Sequence, residues 1–178
     1  MLDPAIGLLA TLLFVLLFAG AALHKIRAPA HFAQAVAAYQ LLPERLAGAA
    51  LVIPALEALV ALGLLFPATR GIACGLGILL LLSYAWAIGV NLRRGRTTLD
   101  CGCGGPDERR PIAAWMAVRN LVLAAGLALL AQPWQARPLA AADILTVGGG
   151  CAVGALLYAS LERLLSRVVP QGTRLVGR

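Results

Sequence analysis

Residues 4–23 read PAIGLLATLLFVLLFAGAAL, an uncharged run of leucine, phenylalanine, valine and alanine. About 20 apolar residues in a helix are enough to cross the hydrocarbon core of a bilayer. No basic residue precedes the run, and no small-residue cleavage pattern follows it, since Leu23, His24 and Lys25 come next. The stretch therefore predicts a retained first transmembrane helix rather than a cleaved signal peptide.

The composition of the whole chain agrees with this first segment. Of the 178 residues, 61% are hydrophobic and 13% are charged, and the mean hydropathy of +0.86 is typical of an integral membrane protein. The net charge of +7 comes from arginines spread over loops, which indicates the lipid bilayer rather than a nucleic acid as a partner. We expect one all-α domain over residues 1–178, a polytopic helix bundle of about five spans at 4–23, 46–66, 71–92, 112–131 and 144–161.

A shorter helix is predicted at about 30–42, between the first two spans. Phe32 and Tyr39 lie two helical turns apart, Pro29 precedes the segment and Pro43 follows it. The segment is too short to span a bilayer. Two alternatives remain, an interfacial helix with its apolar face in the membrane and a connecting helix packed on the bundle.

Two charged residues fall within the predicted spans. Glu57 lies in the second span with Pro54, roughly 16 Å from the membrane face, and Arg119 lies roughly 10 Å into the fourth from the same face. A charge at such a depth is costly unless it is paired or faces a polar cavity. The sequence leaves open whether these two residues pair with each other or whether Arg119 reaches the lipid headgroups instead.

Small residues are expected at the helix contacts of the third and fifth spans. Gly71 and Gly75 have the spacing that lets two membrane helices approach closely. Cys74 and Cys151 are interpreted as small packing residues, with a second redox pair as the alternative. The fifth span carries four further glycines that we expect to allow close packing, Gly148, Gly149, Gly150 and Gly154.

The stretch most suggestive of chemistry is Asp100-Cys101-Gly102-Cys103, within a predicted loop at about 93–111. A disulfide between thiols separated by one residue needs a sharp turn, which Gly102 permits, and the resulting strain favours exchange with another dithiol. Asp100 opposes the thiolate form. Five arginines around the motif favour it, Arg93, Arg94, Arg96, Arg109 and Arg110.

Two other interpretations of this loop are retained. In the first interpretation, the cysteines lie in a tight turn and their reduced thiols have no chemical role. In the second, they bind zinc or copper together with His24 and His31. The spacing of the cysteines does not match that of usual zinc sites, so no metal is assigned.

The basic residues also predict an orientation. With five crossings, twelve lysines and arginines fall on the side of the cysteine loop and only Arg70 and Arg137 on the other. The positive-inside rule then places the N-terminus in the periplasm and the cysteine loop in the cytoplasm of a bacterial inner membrane.

The order of these features resembles the MauE branch of the DoxX-like membrane proteins, in which a four-helix core is extended by one helix. The matching residues are Gly20 to Lys25, Pro29, Phe32, Tyr39 to Pro43, Pro54, Glu57, Asn91 to Arg96, Asp100 to Gly104, and Arg119 with Asn120.

The resemblance implies a redox-associated protein of methylamine utilisation. Such a protein would mature the disulfide-rich small subunit of periplasmic methylamine dehydrogenase with a thioredoxin-like partner. Cys101 and Cys103 would be the exchanging pair, supported by Asp100, Arg119 and Glu57. A periplasmic client conflicts with a cytoplasmic loop, unless one segment does not cross or electrons pass through the bundle by way of Cys74 and Cys151 or a quinone.

Three functions are therefore compared. The first is a thiol–disulfide oxidoreductase that acts on a partner. The second is a non-enzymatic assembly factor whose cysteine loop is structural, and the third is a small transporter that uses Glu57 and Arg119. The chain shows no evident internal repeat, which makes the transporter the weakest of the three.

Overall fold

The computed structural model describes residues 2–41, 52–101, 111–135 and 137–172, with side chains up to residue 165. The regular elements in these ranges are helices, accompanied by two isolated bridges that pair Leu2 with Trp134 and Asp100 with Pro111. The prediction of an all-α protein is confirmed. The helices are α1 (Pro4–Arg27), α2 (Pro29–Ala38), α3 (Val52–Leu65), α4 (Arg70–Arg93), α5 (Ala114–Leu130) and α6 (Ala141–Gly172).

The helices have the lengths and composition of a membrane bundle. Among the described residues, three stretches are long and apolar enough to cross a membrane, namely α1, α4 and residues 141–165 of α6. The described parts of α3 and α5 are shorter apolar helices of 14 and 17 residues. The predicted second span begins at residue 46, so its start lies outside the described residues, and Pro54 is accommodated in the first turn of α3 without a break.

The first helix is longer than its uncharged run. It continues four residues beyond Leu23 to Arg27, so that His24 and Lys25 are helical rather than part of a loop. The helix α2 starts with Pro29 at its first turn, as predicted, but ends at Ala38. Gln40 has a φ of 50°, and this left-handed conformation turns the chain before the predicted end at residue 42, which lies outside the described residues.

The chain forms two compact units, of which the first comprises residues 1–13 and 132–178. Here Arg137 joins the two ends of the unit, donating to Asp3 at 2.9 and 3.0 Å and to Asp143 at 2.7 and 3.1 Å. The Arg137 guanidinium holds the pKa of Asp3 below its usual range. This contact therefore stabilises the unit at neutral pH and is lost as the pH falls through the lowered pKa.

The same unit contains close contacts made by glycines. A Cβ atom at Gly150 would lie 3.0 Å from Leu9, and one at Gly154 would lie 3.1 Å from Leu13. These two predicted packing positions are confirmed. The other two, Gly148 and Gly149, have no neighbour within 4 Å among the described residues, so the prediction is wrong there.

The second unit comprises residues 14–131 and contains α2 to α5 with the larger part of α1. Among its described glycines, the tightest contact is at Gly77, where a Cβ atom would lie 2.7 Å from Leu127, 3.2 Å from Phe18 and 3.3 Å from Val60. Three helices thus pack closely on α4 at Gly77. The predicted contact positions Gly71 and Gly75 face open space in the described structure, so the spacing motif pointed to the wrong face of the helix.

We expect Gly77→Ala to destabilise the protein by about 1–3 kcal/mol, because the added methyl group overpacks the contact with Leu127. Gly75→Ala is the matched control on the same helix and should not lower stability, since nothing lies within 4 Å of that position. Thermal unfolding of both purified variants in detergent checks the difference. Equal stability of the two variants would contradict the packing described here.

Candidate functional site

A buried ion pair lies inside the second unit. Lys25 of α1 pairs with Glu57 of α3, and only 7% of Lys25 and 1% of Glu57 are exposed. Tyr84 of α4 donates its hydroxyl hydrogen to the same Oε1 atom of Glu57 at 2.7 Å. Two hydrogen-bond donors from different helices therefore converge on one carboxylate oxygen and offset part of the cost of burying the charge. The other oxygen, Oε2, has no hydrogen-bond partner among the described residues.

The ion pair also reaches α2. The Lys25 ammonium lies 5.3 Å from the centroid of the Phe32 ring and 5.1 Å from the centroid of the Tyr84 ring, which are distances of cation–π contacts. Phe32 is itself buried. Lys25 is thus in contact with α2, α3 and α4 at once.

The suggested ion pair between Glu57 and Arg119 is not formed. Glu57 is paired with Lys25, and the guanidinium of Arg119 lies 5.6 Å from the centroid of the Trp115 ring and donates to Asn120 at 3.4 Å. The sequence predicts that Lys25 lies in a loop, outside the reach of Glu57. Because α1 extends to Arg27, Lys25 instead lies within the bundle.

The first cysteine of the motif lies where the chain leaves α4 and approaches α5. Asp100 is bridged to Pro111, and the amide of Ile112 donates to the carbonyl of Leu99 at 2.9 Å. The partly exposed Cys101 packs on a buried apolar cluster formed by Ile88, Ile112 and Met116. Cys103, Arg109 and Arg110 are within residues 102–110, which lie outside the described residues.

The helix α2 contacts the segment that carries Cys101 at two points. The His31 Nε2 atom lies 3.3 Å from the Oδ2 atom of Asp100. Arg96 donates to the side chain of Gln40, and also to the carbonyl oxygen of Ala38 at 3.3 Å. Arg96 is therefore bound to the end of α2.

Two buried asparagines add polar groups to α4 and α5. Asn91 is fully buried and Asn120 is 2% exposed. Asn91 donates to the carbonyl of Ala87 at 3.0 Å, while its own oxygen and the amide nitrogen of Asn120 have no hydrogen-bond partner among the described residues. Asn91 lies roughly 10 Å along α4 from Tyr84, so polar groups continue from the ion pair toward the cysteine segment.

The other candidates from the sequence were a second pair of cysteines and a metal site that includes the two histidines. Cys74 and Cys151 are both free thiols. Among the described residues, no three His, Cys, Asp or Glu side chains gather in a way that could hold a metal ion. His24 is exposed, and His31 is occupied by Asp100.

Comparison with known proteins identifies the family of the chain. The family model described as methylamine utilisation protein MauE matches residues 3–133 of the chain. The chain belongs to the MauE family. It is 33% identical to the methylamine utilization protein MauE of Methylophilus methylotrophus over 166 residues, which is 92% of this chain and 87% of that one.

Other relatives carry the same name. The chain is 36% identical to methylamine utilization protein MauE of Paracoccus denitrificans, over 70% of this chain and 68% of that one. It is 37% identical to the Paracoccus versutus protein, over 80% and 76% of the two chains. No solved structure matches the chain. Membership of the MauE family confirms the resemblance and places the protein in methylamine utilisation.

We expect replacement of either partner of the buried ion pair to destabilise this MauE family member strongly, by about 3–5 kcal/mol, because an unpaired charge remains in the bundle. The single variants are Lys25→Met and Glu57→Leu, and Arg27→Met is the control because Arg27 is an exposed cation at the end of the same helix. The double variant should recover at least half of the summed loss. Thermal unfolding in detergent measures all four, and additive losses in the double variant would contradict the pairing.

Proposed function

We propose that this MauE family member is a membrane thiol–disulfide redox protein that supports maturation of a partner with disulfide bonds. The observation that carries the proposal is the position of Cys101. Its segment is held to Pro111 and Ile112 on one side and to α2 on the other, while the cysteine itself remains partly exposed. A thiol that exchanges needs both a fixed position and access for a partner sulfur.

The proposed chemistry is exchange between two dithiol–disulfide couples. A Cys101 thiolate attacks one sulfur of a partner disulfide, forms a mixed disulfide and releases the other partner sulfur as a thiolate. Cys103 then attacks the Cys101 sulfur, so that the partner leaves as a dithiol and the Cys101–Cys103 disulfide remains. Two electrons and two protons pass to the partner in this direction, and the reverse sequence oxidises it.

The family suggests which proteins take part. The resemblance implies a thioredoxin-like redox protein as the exchange partner and the small subunit of methylamine dehydrogenase as the client. A small subunit rich in disulfides requires an enzyme-assisted pathway, because disulfide formation and rearrangement are slow without a catalyst. The proposal gives the MauE family member a role in that pathway as a membrane-bound exchanger.

The charge bias supports an orientation with the cysteine loop in the cytoplasm. Lys25 is buried in an ion pair and no longer counts as a loop charge, and the other basic residues keep the same bias. In this orientation a periplasmic client requires a relay of electrons, for which a membrane quinone is the candidate. Labelling of Cys101 in intact cells by a membrane-impermeant maleimide would overturn the orientation and favour direct exchange.

We expect Cys101→Ser and Cys103→Ser each to reduce the yield of active client by about 100-fold, since neither variant can complete the two-thiol cycle of disulfide exchange. The yield is measured as methylamine dehydrogenase activity in cells that produce each variant at the normal membrane level. Cys151→Ser is the matched control, because Cys151 is a free thiol in α6. A normal yield from both loop variants would favour the assembly factor instead.

A further inference from the structure

The end of α4 presents positive charge to solvent. Arg93 is the last residue of the helix, Arg94 follows it, and both side chains are exposed. Gly95 has a φ of 72°, a left-handed conformation that ends the helix and turns the chain away from its axis. The two arginines therefore stand at the tip of α4, and we call this surface the arginine tip.

The partly exposed Cys101 lies close to the arginine tip. It packs on the buried apolar cluster that contains Ile88, and Leu92, which directly precedes Arg93, packs on the same cluster. Arg93 is five residues beyond Ile88, which is roughly 8 Å along a helix axis. Charges interact over about this distance in physiological salt, so the arginine tip acts on a molecule that approaches Cys101.

Several other charged side chains near this segment are held by contacts within the protein. Asp100 contacts α2 through His31. Arg96 is bound to the end of α2, and Arg119 is stacked on an aromatic ring of its own helix. Residues 93–111 contain five arginines and three acidic residues. The arginine tip therefore adds exposed positive charge to a connection whose formal charge is positive.

We propose that the arginine tip is a docking surface for the protein that exchanges with Cys101, and that the disulfide of this partner is surrounded by acidic side chains. Opposite charges on two surfaces raise the rate at which they associate, and like charges suppress the wrong encounters. The inference rests on the proposed function, because it names the kind of surface by which an exchange partner is recognised.

Anionic lipid headgroups are the alternative ligands of this surface, because arginines just outside a membrane span attract them. The position of the arginine tip favours the protein partner. It lies beside a partly exposed thiol, and a headgroup bound there would obstruct the approach of a disulfide to Cys101. The two ligands are separated by changing the lipid around the protein.

The test compares the rates at which reduced Cys101 reacts with two small disulfides. Dithiobis(nitrobenzoate) carries two carboxylates, whereas dithiodipyridine is uncharged. In each reaction the thiolate attacks one sulfur of the reagent, forms a mixed disulfide and releases the other half as a coloured product. The protein is held in lipid nanodiscs, which leave both of its faces accessible, and Cys101 is made the single cysteine by Cys74→Ala, Cys103→Ser and Cys151→Ala.

The variant combines Arg93→Gln with Arg94→Gln. Arg70→Gln is the matched control, because Arg70 is the first residue of the same helix and lies roughly 35 Å from Arg93 along its axis. The quantity compared is the ratio of the anionic to the uncharged rate. A change in the reactivity of the thiol itself alters both rates together, so the ratio reports the attraction of the anion.

In phosphatidylcholine nanodiscs at low salt, we expect the double substitution to lower this ratio about three- to fivefold, as for two screened charges at about 8 Å. The effect should largely vanish at about 1 M salt, where charges interact over only about 3 Å. Arg70→Gln should leave the ratio unchanged. In cells, the double substitution should reduce the mixed disulfide between a Cys103→Ser protein and its partner by about threefold.

An unchanged ratio would overturn the inference, and so would an equal decrease in the Arg70→Gln control. Loss of the effect in nanodiscs of equal parts phosphatidylcholine and phosphatidylglycerol would show that anionic lipid occupies the arginine tip instead. An undiminished mixed disulfide in cells would show that the partner does not dock there. The reagents need neither partner nor client, so the ratio is independent of the proposed function, which fails if Cys101→Ser still supports client maturation.

Discussion

The ion pair between Lys25 and Glu57 is the constraint on which the second unit depends. A charge surrounded by apolar side chains and lipid is tolerated only when other groups of the protein satisfy it. Here the satisfying groups come from α1 and α4, and the ring of Phe32 adds α2. Because α2 is fixed in this way, its His31 end is held beside Asp100, so the buried pair and the cysteine segment are parts of one packed arrangement.

The architecture was accessible from the sequence to the extent that hydropathy determines it. Long apolar runs predicted helices near α1, α4, α5 and α6, since a helix is the way such a run satisfies its backbone in lipid. The ends of the helices were harder to predict from the sequence. The uncharged run stops at Leu23, but the helix continues because Lys25 finds a buried partner on α3. Likewise, the glycine of α4 that packs closely on other helices is Gly77 rather than Gly71 or Gly75. Its role depends on Leu127, Phe18 and Val60, which lie on other helices.

In the candidate functional site, too, local sequence patterns were predicted correctly, whereas contacts between distant segments were not. The sequence motif predicted that Asp100, Cys101 and Cys103 lie in a loop after the third span. Cys101 lies on the connection between α4 and α5, and Cys103 lies outside the described residues. Glu57 was recognised as a costly buried charge, but its partner was not, because Lys25 and Tyr84 come from segments 32 and 27 residues away. His31 was considered only as a metal ligand. The one sequence feature that could have indicated Lys25 as the partner of Glu57 was its position just after the apolar run that ends at Leu23.

The most direct test of the central claim is to trap the mixed disulfide that exchange requires. In a Cys103→Ser variant, Cys101 attacks a partner disulfide and no second thiol resolves the product. The account predicts a covalent adduct of higher mass on a non-reducing gel, which disappears on reduction, is absent from the Cys101→Ser, Cys103→Ser double variant, and contains a thioredoxin-like protein by mass spectrometry. Absence of any adduct that depends on Cys101, in cells that mature the client normally with the wild-type protein, would contradict it.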